Sequence, residues 1–351
     1  MNYEKKIFGR RQFCACTALL AGQMLLESCG AAREQTSEAA PDEAQRLVVY
    51  TSHKEAVYGP ILREFQERTG IWVEVVTGGT NELLEQIESE QAAPVADVMF
   101  GGGAESLLTY ADCFEPYAST AELKSGLQAL GQLWTPFSCL PIVLIYNPKL
   151  IGAGEVRGWA DLVDPAWKGR IAFADPAVSG SSYTAAMTML ACLPGDLWEN
   201  QAAFYANVAG NILDDSGDVT PAVSSGRLPV GICLEETALK AQAQGSELEI
   251  VYPEEGTSSL PDGTALLVGA PHRENAVTFL AFTQCEDVQK LVAEQFCRRA
   301  VRADVADPVS LPAAEQMRVI DYDIQWAAEN KEEFLRRWAA LGDADGGEAQ
   351  T

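Results

Sequence analysis

The chain has 351 residues, 47% hydrophobic and 21% charged, an ordinary globular composition at a length suited to two domains or lobes. Its net charge of −25 repels phosphate backbones and anionic lipid surfaces, which argues against nucleic acid as a partner. Only His53 and His272 supply imidazole, and no G-x-S-x-G or H-E-x-x-H motif occurs, so an exported hydrolase finds little support.

The first elements are not part of a fold. Lys5, Lys6, Arg10 and Arg11 precede an apolar run over 14–26 that is too short to span a membrane. Residues 1–28 therefore read as a signal peptide. "LESC" (26–29) resembles the bacterial lipobox, in which the chain is cut before the cysteine and the thiol carries lipid. That makes Cys29 the expected lipidation site and places the protein outside the cytoplasm, anchored to the cell membrane. Arg10-Arg11-Gln12-Phe13 also resembles a twin-arginine export motif, and a plain basic leader explains the pair equally well. Residues 29–45, small and polar, read as a flexible tether.

From Arg46 on, short β-branched runs alternate with helical patterns. Strands are expected over 46–52, 71–78 and 96–103, with helices over 54–70, 81–91 and 104–113. Pro60 should delay or bend the first helix, and Thr80 or Asn81 should cap the second. The alternation implies a parallel sheet whose ligand edge lies beyond the strands' carboxyl ends. Those ends carry Ser52 and His53, the turn 77–80, and Gly101, Gly102 and Gly103. A second sheet starts near 139–148 and continues with strands over 170–176, 229–236 and 247–256. Helices lie between these strands. A strand over 263–270, one or two helices over 273–296 and a C-terminal helix over 324–341 complete the fold, and the acidic, glycine-rich end from Gly342 reads as disordered. The six cysteines beyond Cys29 form no C-x-x-C pair, so no metal or redox motif is visible.

One segment concentrates polar chemistry. "DPAVSGSSYTAAMTML" (175–190) runs from a strand through a hydroxyl-rich turn into an apolar helix. One serine suffices to cap a helix, and this turn offers Ser179, Ser181 and Ser182 around Gly180. Unpaired N–H groups, the helix dipole and a glycine that admits close approach together make an anion cradle. Glu235 and Glu236 end a strand and begin a helix. They either complement that helix's dipole or face a cationic end of the ligand. The polar turn over 214–223 offers Ser216, Asp218 and Thr220, with plain capping as its simpler reading.

The segments "LVVYTSHKEAVYGPILREFQERTGIWVEVV", "ADVMFGGG", "WADLVDPAWKGRIAFADPAVSGSSYT", "IVYPEEGTSSLPDGTALLVGAPHRENAVTFL" and "RRAVRADV" together resemble the extracellular solute-binding proteins of bacterial ABC importers. The similar branch holds ferric-ion-, 2-aminoethylphosphonate- and hexose-phosphate-binding members. The resemblance covers roughly 46–340. It implies an α/β, two-lobed periplasmic-binding-protein-like fold of type II with ligand between the lobes, delivery to a membrane permease, and no catalysis or cofactor. The expected division is lobe 1 over 46–145, lobe 2 over 146–255, a return to lobe 1 with the C-terminal helices over 256–341, and the tail over 342–351.

Ferric-binding members use a His on the first strand–helix loop, a Glu after the third strand and two adjacent tyrosines. His53 matches the first, but glycines stand at the second and Glu235-Glu236 at the third. Iron is therefore the alternative ligand rather than the expected one. The family's anion turn matches at Ser179-Gly180-Ser181. The resemblance thus implies a monomer that captures a small anionic solute, a phosphonate or organophosphate with or without an amine, through Ser52, His53, Gly102, Gly103, Ser179, Gly180, Ser181, Ser182, Glu235 and Glu236. A surface sensor with the same fold is the other alternative.

Overall fold

The computed structural model describes residues 42–127, 133–307, 311 and 317–348. The expected signal peptide, Cys29 and nearly all of the tether lie outside the described residues.

The first lobe begins with β1 (Arg46–Thr51), α1 (Glu55–Thr69), β2 (Trp72–Thr77), α2 (Thr80–Ser89), β3 (Val98–Gly103), α3 (Ala104–Thr109) and β4 (Phe114–Glu115). The strand β1 pairs in parallel with both β2 and β3, as alternation of strands and helices requires. Val49 and Phe100 face a core with Phe65 and Phe279 on one side of the sheet, while Val48, Tyr50 and Met99 face Leu83 and Leu84 on the other. Pro60 does not delay α1, which starts at Glu55 and carries the proline inside it. Gly79 occupies the cap position of α2, so Thr80 and Asn81 are its first two residues, and Glu82 accepts from the Gly79 N–H.

The second lobe comprises α4 (Trp159–Val163), β6 (Ile171–Ala174), α5 (Gly180–Cys192), α6 (Leu197–Val208), β7 (Ile212–Leu213), α7 (Val219–Ser224), β8 (Val230–Leu234), α8 (Glu235–Ala243) and β9 (Glu249–Val251). Its parallel strands β7, β6 and β8 repeat the layered pattern.

The two lobes are joined through β5 (Thr135–Tyr146), a twelve-residue strand, and β10 (Ser259–Leu267). Residues 135–141 of β5 pair antiparallel with β10, while 142–146 pair antiparallel with β8, and 144–146 also with β9. The changeover falls at Pro141, which has no N–H for a ladder, and Pro261 stands opposite Cys139 beside it. Two positions where the lobes meet thus have no N–H to give the ladder.

The chain then adds α9 (Arg273–Thr283) and α10 (Glu286–Phe296) to the first lobe's core, and β11 (Arg299–Ala300) pairs with β5. After α11 (Ile324–Glu329), the helix α12 (Lys331–Glu348) packs Phe334 and Trp338 into the second lobe's core. The expected disordered tail is corrected over 342–348, which continues α12; residues 349–351 lie outside the described residues. Good helix formers at Ala339, Ala340 and Leu341 lead in, and Gly342 lies so close to Tyr205 that a Cβ there would stand 2.9 Å from its hydroxyl.

Candidate functional site

A cleft of about 760 Å³ opens between the lobes at the carboxyl ends of β1, β3 and β8. From the first lobe it is lined by Ser52, His53, Gly102 and Gly103; from the second, by Ser179, Gly180, Ser181, Ser182 and Glu236. The lobes touch across its mouth. Lys54 Nζ pairs with Asp215 at 3.0 Å, Asn81 Nδ2 donates to the Ala177 carbonyl at 3.0 Å, and Thr80 stands against Gly180.

The turn before α5 resolves the surplus of serines. Ser179 is the N-cap: its Oγ accepts from the Ser182 N–H at 3.2 Å and from the Ser182 hydroxyl at 3.1 Å, and lies 3.1 Å from Ser181 Oγ. One hydroxyl thus does the capping. The Gly180 and Ser181 N–H groups have no protein acceptor among the described residues, and they belong to cleft-lining positions. At Gly180 the opposite lobe stands at van der Waals contact with the position of a first side-chain carbon. A Cβ there would already lie 3.4 Å from Thr80 Cβ and Oγ1 on the opposite lobe.

The floor is a buried polar cluster. Arg298, between α10 and β11, donates through Nη1 to Asp262 Oδ2 at 2.8 Å and through Nη2 to Glu236 Oε1 at 3.1 Å. Asp262 Oδ1 accepts from the Ser138 N–H and hydroxyl, both at 2.7 Å. Lys240, one turn after Glu236 on α8, pairs with its Oε2. Burial works to raise the Glu236 carboxyl, but Arg298 and Lys240 outweigh it and hold the group below its ordinary value. His53 packs edge-on to Phe100 with ring centroids 4.6 Å apart. Burial, reinforced by Arg298 and Lys240, pushes its imidazole well below its ordinary range, so it is neutral. Gly101, at φ +110°, makes room: a Cβ there would stand 2.8 Å from Ser52 Oγ and 3.2 Å from His53 Nε2.

Of the sequence-derived site residues, all but Glu235 are brought together in this cleft. Glu235 does not line it. Its carboxylate is buried in a two-pronged pair with Arg299, at 2.9 and 2.7 Å, and accepts the Tyr252 hydroxyl. Glu236 does line the cleft, and each of its oxygens already faces a protein cation, Lys240 or Arg298. Ser216 and Thr220 line the cleft, and Asp215 rather than Asp218 caps the short turn there. The functional residues that pattern reading missed are Arg298, Lys240 and Asp262. Their one signal was the "RR" step in so acidic a chain.

Iron chemistry fits this floor poorly. The Asp262 and Glu236 oxygens are engaged by Arg298, Lys240 and Ser138, and among the described residues no group of three or more His, Cys, Asp or Glu is placed to hold a metal ion.

Two α/β lobes joined by antiparallel crossing strands, with a donor-rich cleft between them, define a solute-binding protein. The family described as bacterial extracellular solute-binding protein matches residues 47–298, and the chain belongs to it. Among curated relatives, "Iron uptake protein A1" of Synechocystis sp. is 26% identical over 307 residues, covering 82% of this chain and 84% of that one. A putative 2-aminoethylphosphonate-binding periplasmic protein of Salmonella typhi is 24% identical, covering 69% and 73%. Among solved structures, the periplasmic binding protein AfuA of Actinobacillus pleuropneumoniae, with exogenous fructose-6-phosphate bound, superposes with a TM-score of 0.78 at 23% identity, covering 85% and 98%. Members of the family are transport proteins that bind solutes and work with ABC permeases, not enzymes. Among the described residues no helix is long and apolar enough to cross a membrane.

Proposed function

We propose that this protein is the solute-binding lipoprotein of an ABC importer and captures a small anionic solute, a phosphonate or organophosphate, for delivery to the permease. It works as a monomer, lipid-anchored through Cys29 on the outer face of the membrane. The observation that carries the ligand class is the start of α5. Two free N–H groups at Gly180 and Ser181, the serine hydroxyls and the helix dipole converge on the cleft without any Lys or Arg at that turn. An amine on the ligand gains no carboxylate from Glu236, so the reading favours a hydroxylated or plain anionic tail over an aminated one.

A thermal-shift screen against phosphorylated sugars, phosphonates and ferric citrate tests this. A ligand at a hundred times its Kd adds about 2.7 kcal/mol of stability. Calorimetry on two variants then locates the anion. Ser181→Ala should cost about 1–3 kcal/mol of binding through the lost bond to a charged group. Gly180→Val should abolish binding, because its γ-methyls would collide with Thr80 and wedge the cleft open, whereas Gly180→Ala should be tolerated. If Val and Ala variants both bind like the parent, the turn is a helix cap and nothing more.

A further inference from the structure

His53 has two ring nitrogens, and their surroundings differ in kind. Nδ1 lies 3.4 Å from Arg298 Nη1. A guanidinium only donates, so a nitrogen facing it must accept, and the ring proton then resides on Nε2. Nε2 is buried and has no hydrogen-bond partner, although Asp262 Oδ2, already bonded to Arg298 at 2.8 Å, stands 3.4 Å away. His53 is 8% exposed, and what remains open of it lines the cleft. Phe100 on β3 and Phe137 on β5 pack against its ring, Lys240 on α8 acts on it through its charge, and Ser138 and Glu236 bond to the same Arg298. Among the described residues, the cluster leaves two buried donors without a hydrogen-bond partner, His53 Nε2 and Arg298 Nε.

We infer that Arg298 is a positioning residue: it fixes His53 as the neutral Nε2–H tautomer, which donates to an acceptor oxygen of the bound solute and is thereby withdrawn from metal ligation. A metal-binding imidazole presents a lone pair to the ion and donates its other N–H to a carboxylate or carbonyl. Here the second nitrogen faces a cationic donor, the reverse polarity. The chain therefore places a histidine at the cleft floor as a reader of oxygen acceptors. The solute part of this inference rests on the solute-binding reading above; the tautomer does not.

The test begins with ¹⁵N NMR of the imidazoles in the wild-type protein, the His53 signals being identified by their loss in His53→Gln. Nε2 should carry the proton, Nδ1 should not, and neither should titrate between pH 8 and 5. A protonated Nδ1, or ordinary titration, would overturn the inference. Arg298→Met should release the tautomer into a mixture; a folded Met variant that keeps the parent's single tautomer would also overturn it. Because Met leaves buried Asp262 without its cation and Glu236 with Lys240 alone, the variant can fail to fold, so a second pair of variants decides the solute arm, with fructose 6-phosphate as the probe. His53→Phe should weaken binding about ten- to a hundredfold, and His53→Gln, which keeps a donor amide, should recover most of it. Equal binding by Phe and wild type removes the donor role. A wild type that holds the expected tautomer but binds no screened solute fails the function and leaves the positioning by Arg298 standing.

Discussion

Glu236 shows how one carboxylate can serve stability rather than recognition. It is 8% exposed and compensated on both sides, by Arg298 from the first lobe and Lys240 from its own helix. Removing one partner of a buried pair costs about 3–5 kcal/mol, and here Asp262 keeps Arg298 partly matched, so Glu236→Gln should cost near the lower end. The pH dependence has a definite sign. A carboxyl held below its ordinary value of 4.5 when folded contributes stability that is present above that value and lost as pH falls through the folded one. The gap in urea midpoint between parent and Gln variant should therefore be constant from pH 8 to 5 and narrow below about 4.5. A gap that widens in acid would mean that Glu236 is protonated in the fold. None of this was legible in the sequence. Glu236 and Arg298 are 62 residues apart, and no local period marks a pair made by two lobes closing on each other.

At the scale of elements, legibility follows locality. The run from β1 to α3 could be read because β1 and β3 bury both faces, β2 is a half-exposed β-branched edge strand, and α1 and α2 each bury one face, patterns that repeat within a few residues. The strand β5 was read only from Cys139, because Thr135-Pro136 and Ser138 look like a loop. Their strand state is set by β10, more than a hundred residues later. The end of α12 was misread for the same reason. Glycines from Gly342 onward signal a stop, yet Phe334 and Trp338 hold the helix on the second lobe, Trp338 stacking near Phe334 at 5.9 Å and meeting Tyr205 at 4.8 Å. Trp338 is 4% exposed, so Trp338→Ala should cost about 3–5 kcal/mol and lower the thermal midpoint. A loss under about 1 kcal/mol would show that α12 is peripheral to that lobe. Loss of sugar-phosphate or phosphonate binding without loss of stability would instead mean that the helix acts on the cleft.

For the whole molecule, charge and anchoring bear on each other. A chain at −25 is repelled by an anionic membrane surface, so adsorption cannot hold it at a permease, and a covalent lipid can. Between Cys29 and the first strand at Arg46 lie sixteen residues of small, polar composition. Sixteen residues span at most about 55 Å fully extended, which bounds how far the proposed anchor at Cys29 lets the first strand stand from the membrane. On the proposed anchoring, acidity has a use: charge repulsion keeps the lobes off an anionic lipid surface. Cys29→Ser should accordingly move the protein from the membrane fraction to the soluble one. The parent should resist release by high salt, because screening weakens charge attraction and leaves lipid insertion intact. If the Ser variant stays on the membrane, processed as the parent is, the lipobox reading is wrong. If salt alone releases the parent, the anchor is electrostatic, which a surface this acidic makes the harder outcome to explain.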